Sequence, residues 1–221
     1  MQYTTVFFDL DGTLIESGPG IYAAARAVLR DMGIPARPDA EMPAMIGPPL
    51  YDGFREVLKV PEERVQEALA LYREKAKTVG IDLIKPYPGI LGLLEALKRA
   101  GTFVGVVTSK VTPTANEHLE RLGLARHIDL VRGGVPGGGA EKLPILLEAL
   151  GEVRPVKARC VMVGDRHFDL LAADAAGIPS IGVTYGYGSE AEIASCHPTH
   201  TVSSVAALGD LLLHTPYIDR N

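Results

Sequence analysis

Five short apolar runs, at residues 5–8, 103–107, 128–131, 160–163 and 180–183, constrain this chain of 221 residues more than any other feature. They are rich in Val, Ile and Phe and do not alternate with polar residues, the pattern of strands buried on both faces of a parallel sheet. Helical patterns lie between them. Residues 89–100 set Ile90, Leu93, Leu94 and Leu97 on one face, end in Lys98 and Arg99, and are stopped by Gly101. Thr112 before Pro113 reads as a helix start and Gly123 as its stop. Further helices fit residues 143–150 and 168–176, the second ended by Gly177. Strand and helix thus alternate from Tyr87 onward, and the expected fold is α/β, a doubly wound parallel sheet of Rossmann-like type.

The connection after the first run breaks that rhythm. Between Gly18 and Leu83 no strand pattern appears, only helical stretches at 21–31, 51–58 and 62–79 joined by Pro-rich segments. This is far longer than an ordinary strand-to-helix crossover. The expected division is therefore a core of residues 1–15 and 84–221 with an inserted α-helical cap at 16–83, roofing the end of the first strand.

Composition narrows the partners. A hydrophobic content of 47% supports a sizeable core, and a net charge of −5 without any Lys/Arg tract argues against nucleic acid and against anionic membrane surfaces. Cys160 and Cys196 have neither the number nor the spacing of a disulfide framework or a zinc site, and Cys160, heading an apolar run, reads as a buried inert thiol. With no signal-like segment and no run of membrane-spanning length, a cytoplasmic protein is expected, a monomer or homodimer.

At the end of the first run stands Asp9-Leu10-Asp11-Gly12-Thr13. Asp-x-Asp-Gly also occurs in solvated turns. The alternative is a ligand crevice, because strand ends in open parallel sheets face one, and two adjacent carboxylates there call for a divalent cation. A calcium loop is rejected, since its required Gly and Glu positions hold Leu14 and Gly20. Three further polar stations follow later runs: Thr108 and Ser109, then Lys142, then Gly164-Asp165-Arg166-His167-Phe168-Asp169. Lys110 is a rival to Lys142 as the cation, and the glycine-rich loop at 133–139 is no P-loop. Together these stations supply what phosphoryl transfer needs: a carboxylate nucleophile, a second carboxylate as acid and base, phosphate donors and cations.

In that order and spacing, Asp9 to Thr13, Thr108, Lys142 and Asp165 with Asp169 resemble the four motifs of the haloacid dehalogenase superfamily. Within it the chain is most similar to the phosphoglycolate phosphatase-like branch, which carries a helical cap and a segment like Ile46-Gly47-Pro48-Pro49-Leu50. The resemblance implies Asp9 as nucleophile, Asp11 as general acid then base, and Mg²⁺ held by Asp9, the Asp11 backbone carbonyl and Asp165, with Asp169 orienting that set. It also implies that Thr108 and the Ser109 amide hold the phosphoryl group and that Lys142 screens its charge. Arg55, Tyr51 and the Gly47–Leu50 turn are candidates for meeting the leaving group; His167, in a variable slot of the fourth motif, is expected to point away, and Arg166 and the Tyr185-Gly186-Tyr187-Gly188 loop are open as site or surface. The implied activity is hydrolysis of a small phosphorylated metabolite. A phosphomutase of the same superfamily and a non-catalytic receiver-like metal or phosphate binder are the alternatives, and Asp11 together with Thr13 argues for the phosphatase.

Overall fold

The computed structural model describes residues 3–135 and 141–214. Strand β1 (Thr5–Phe8) leads through a tight turn into the two-residue β2 (Ile15–Glu16). Beyond β2 the chain enters a helical insert. It holds α1 (Gly18–Asp31), a 3₁₀ segment (Asp39–Met45), the short α2 (Leu50–Asp52) with a π turn (Gly53–Val57), and α3 (Val65–Lys75) with a second π turn (Ala76–Gly80). The chain returns through β3 (Lys85–Pro86), which pairs antiparallel with β2 through Ile15 with Pro86 and Glu16 with Lys85. The insert therefore leaves and re-enters at one doorway.

The rest alternates as the apolar runs require: α4 (Ile90–Arg99), β4 (Phe103–Val111), α5 (Thr112–Arg121), β5 (Leu130–Gly134), α6 (Lys142–Val153), β6 (Cys160–Gly164), α7 (His167–Ala176), β7 (Ser180–Val183), α8 (Glu190–Ser195), β8 (His200–Val202) and α9 (Val205–His214). Six of the strands form one parallel sheet in the order β5-β4-β1-β6-β7-β8. Its reversal of direction beside β1 is a topological switch point, where such sheets open a crevice at the carboxyl ends of the strands.

Each face of the sheet has its own core. Val6, Phe8, Val104, Val106, Val161 and Val163 pack with Leu94 and Leu97 of α4, Leu119 of α5 and Leu208 of α9. Phe7, Val107, Cys160 and Met162 point the other way, against Leu146 and Ala149 of α6 and Ala172 and Ala173 of α7. Burial on both sides explains why the sequence shows continuous apolar runs. The Cys160 thiol is fully buried, and burial pushes its pKa up to about 12. Cys196, half exposed, ends α8 with its thiol 3.4 Å from the Glu192 carbonyl.

The insert is built on a third cluster, in which Val28 and Leu29 of α1 meet Met42, Met45, Phe54, Leu58, Val65 and Leu69. Its base is a backbone contact: a Cβ on Gly80 would overlap the Gly20 carbonyl, and one on Gly20 the Gly80 carbonyl.

Some expected elements are displaced. β5 begins two residues later than the apolar run at 128–131, because residues 125–127 form a 3₁₀ turn and Ile128 closes it. The pairing then runs on into Gly133 and Gly134, with a register shift opposite residues 108 to 111. The helix expected at 62–79 divides into a 3₁₀ turn, α3 and a π turn, and the one expected at 51–58 into α2 and a π turn. No described helix is long and apolar enough to cross a membrane.

Candidate active site

Asp9 sits one residue beyond β1, still in register with the sheet through its amide to the Val163 carbonyl at 2.9 Å. The following turn is closed by Leu14 and Ile15 amides on the Leu10 carbonyl, each 3.0 Å, and by the Gly12 amide on Ile15. Gly12 is obligatory here: its φ is 90°, and a Cβ would collide with the Asp165 carboxylate. Thr13 donates its hydroxyl to Asp165 Oδ1 at 3.2 Å. The first motif is thus folded onto the fourth.

Asp165 follows β6 and Asp169 lies in the first turn of α7, where its Oδ2 accepts the Arg166 amide at 3.3 Å in a capping box. Side-chain oxygens of Asp9, Asp165 and Asp169 all lie within 4.8 Å of one another, and all three residues are buried. Lys142, the first residue of α6, reaches into this group: Nζ is 2.7 Å from Asp9 Oδ1, 2.9 Å from Asp169 Oδ1 and 3.1 Å from the Val107 carbonyl.

One ammonium among three buried carboxylates leaves a charge deficit. Burial, eased by Lys142 and worsened by Asp169 and Asp11, pushes Asp9 up to about 7. Burial, with Asp9 and Asp169 adding repulsion, drives Asp165 well above the usual carboxylate range. Lys142 itself is held protonated above its ordinary value, since Asp169 and Asp9 outweigh the burial that would discharge it. A hard divalent cation with oxygen ligands fits this donor set and would relieve the repulsion.

Asp11 is different. Burial opposes its charge, but Lys110 Nζ at 3.0 Å from Oδ1 overrides that and brings its pKa below the ordinary value. Lys142 and Lys110 are therefore not rivals for one place, since each serves one of the two carboxylates. Thr108, fully buried at the switch point, takes the Lys110 amide on its hydroxyl at 3.1 Å. Ser109 lines a cavity of about 370 Å³ with Gly47, Pro49, Lys142, Leu143 and Phe168. The insert's turn at Gly47 to Pro49 thus faces the core beside Lys142.

Not every candidate arrives. Arg55 pairs with Asp52, Glu56 and Glu62 and lies over the Tyr51 ring, a partly exposed cluster within the insert. His167 Nδ1 turns to Glu192 at 2.7 Å. Arg166 shares that carboxylate through Nε at 2.8 Å, lies over Phe168, and hydrogen-bonds the Ile46 carbonyl of the insert. The glycine-rich loop lies partly outside the described residues, at 136–140. Sequence reading leaves Tyr185 to Gly188 open, yet the Tyr187 amide donates to Asp165 Oδ2 at 2.7 Å and the Tyr185 hydroxyl to the Thr13 carbonyl at 3.1 Å. The only signal for it was a position just past a strand end.

Residues 6–183 match the family model described as haloacid dehalogenase-like hydrolase. The chain belongs to that family. It is 35% identical to a 5'-nucleotidase of Pseudomonas aeruginosa, covering 96% of both chains. It is also 35% identical to the tyrosine-protein kinase PtkA of Mycobacterium tuberculosis, over 93% of this chain and 70% of that one. Among solved structures, a haloacid dehalogenase-like family hydrolase from Streptococcus pneumoniae superposes with a TM-score of 0.87 at 28% identity, over 94% of this chain and 97% of that one.

Proposed function

We propose that this phosphatase is a Mg²⁺-dependent hydrolase of small phosphate monoesters that works through a phosphorylated Asp9. The observation that carries the reading is the buried Asp9, Asp165 and Asp169 group, whose negative charge exceeds what Lys142 neutralises. Asp9, Asp165 and the Asp11 backbone carbonyl would hold the cation, with Asp169 fixing Lys142 and the surrounding set. Bound there, Mg²⁺ would supply positive charge to keep Asp9 ionised and to offset charge on the transferring phosphoryl group.

The residues then divide the work. Thr108 and the Ser109 amide receive the phosphoryl oxygens, and Lys142 shares their charge with the Asp9 carboxylate. One Asp9 oxygen attacks phosphorus; the bond from phosphorus to the ester oxygen breaks, and Asp11 gives that oxygen its proton. Asp11 then takes a proton from water as the water attacks the phosphorus of the acyl phosphate, releasing inorganic phosphate and free Asp9. Lys110 holds Asp11 ionised in the resting site, which suits the second step; binding of a phosphate dianion that draws Lys110 toward itself would let Asp11 protonate for the first.

We also assign residues 16–83 as the cap, closing over the crevice to exclude bulk water. The substrate class is a small phosphorylated metabolite, and the nucleotidase relative puts nucleoside 5'-monophosphates first in a panel with phosphoglycolate and sugar phosphates. The test is phosphate release from p-nitrophenyl phosphate and that panel, with and without Mg²⁺, for wild type and Asp9→Asn. Turnover that needs Mg²⁺ and vanishes in Asp9→Asn is expected; undiminished turnover in Asp9→Asn sinks the covalent route.

A further inference from the structure

The helix that opens the insert is not capped by its own sequence. Ser17 stands at the N-cap of α1 but makes no capping bond, and Pro19 follows in the first turn. The Gly18 amide instead donates to the phenol oxygen of Tyr187, 2.6 Å away and 169 residues later. A loop of the core thus serves as the cap of the insert's first helix.

The same residue touches the acidic group. Its amide donates to Asp165 Oδ2 at 2.7 Å, and its ring lies against Gly12 so closely that a Cβ on Gly12 would overlap it. The flanking glycines permit this approach: a Cβ at Gly186 or Gly188 would collide with the side chain or the backbone oxygen of Asp165. Gly18 is equally constrained, because a Cβ there would lie 2.9 Å from the Tyr187 hydroxyl. From the Asp165 carboxylate to the N-terminus of α1 there is therefore one residue and two short hydrogen bonds.

Tyr185 strengthens the same connection from the side. Its hydroxyl donates to the Thr13 carbonyl at 3.1 Å, and its ring stacks edge-on with Tyr87, whose amide holds Leu14 at 3.1 Å. The loop grips both chains of the doorway through which the insert is attached.

We propose that Tyr187 is a positioning residue that couples the carboxylate of Asp165 to the hinge of the cap, so that cation binding in the core orders α1. This rests on the metal reading above. Asp165 cannot shift to meet a cation without moving residues 186–188, and the phenol carries that movement to Gly18. Tyr187→Phe removes the acceptor for Gly18 while keeping the ring and the amide to Asp165. Gly18→Ala attacks the same contact from the other side by crowding the phenol.

The test is hydrogen–deuterium exchange of the full chain with and without MgCl₂ alone. In wild type, Mg²⁺ is expected to slow exchange both in β6 to α7 and in α1. In Tyr187→Phe and in Gly18→Ala, the slowing persists in β6 to α7 and is lost from α1. Equal Mg²⁺-dependent slowing of α1 in wild type and both variants overturns the coupling, as does a wild-type response confined to β6 to α7. An absence of any Mg²⁺ effect in wild type would instead count against the metal reading on which the coupling rests.

Discussion

Lys142 holds two acids at once, and that makes it the residue whose removal has the clearest double effect. In Lys142→Met the Asp9 and Asp169 carboxylates lose their shared ammonium, and breaking a buried ionic group of this kind costs about 3–5 kcal/mol. Urea unfolding of the metal-free variant at neutral pH is expected to show that loss together with the loss of turnover. Asp9→Asn should part the two readouts. It abolishes turnover yet raises the melting temperature of the metal-free protein, because it deletes a charge that burial has pushed to a pKa of about 7.

Asp11→Asn is expected to lower kcat by roughly 10²–10⁴-fold, the usual weight of a positioned acid and base, as measured by phosphate release. The raised acids also set a pH dependence. Asp9 and Asp165 both titrate above their unfolded value of 3.8. The metal-free fold is therefore the proton-richer state above that value and loses stability as the pH rises through about 7, where Asp9 gives up its proton. A cation binding the ionised form reverses the trend. The Mg²⁺-induced rise in melting temperature should accordingly be larger at about pH 8 than at about pH 6.

Among the elements, those that bury apolar residues on both faces were plain in the sequence: β1 and β7 have the expected bounds, and α4 keeps its predicted stripe. The doorway strands and β8 were not, since two or three residues of pairing leave no periodic signal. Inside the insert, local pattern called for one helix at 62–79, where the structure has a 3₁₀ turn, α3 and a π turn that ends at Gly80 with the Gly20 backbone pressed against it. No sequence pattern reports such a contact between distant glycines. Gly80→Ala is expected to destabilise the protein by about 1–3 kcal/mol in chemical denaturation, because the added methyl must displace backbone.

The site divides in the same way. Its charged residues could be read from their places after the strands, but their pairing could not. Lys110 and Lys142 looked like alternatives because sequence order does not reveal that Asp9 and Asp11, two residues apart, face different neighbours. Arg55 looked like a cap contact because only the fold shows Asp52, Glu56 and Glu62 gathered around it. Tyr187 carried no motif at all.

At the scale of the whole molecule, the insert has its own apolar cluster and meets the core through the short pair of β2 and β3. Replacing residues 16–83 by a short Gly-Ser linker should leave the parallel sheet folded, with Ile84 still in its core cluster. Circular dichroism checks the fold. Hydrolysis of p-nitrophenyl phosphate should continue at a reduced rate, and the spread of rates across the metabolite panel should narrow.

The two cysteines give this chain a convenience of a practical kind. Cys160 is sealed inside the sheet with a thiol that resists ionisation, whereas Cys196 is half exposed. A maleimide dye applied to the native protein will therefore attach at a single place. That place is the end of α8, beside the backbone carbonyl of Glu192, whose side chain grips Arg166 as Arg166 grips the Ile46 carbonyl of the insert. The chain already carries a labelling position beside the contact between Arg166 and the insert, with no engineered cysteine required.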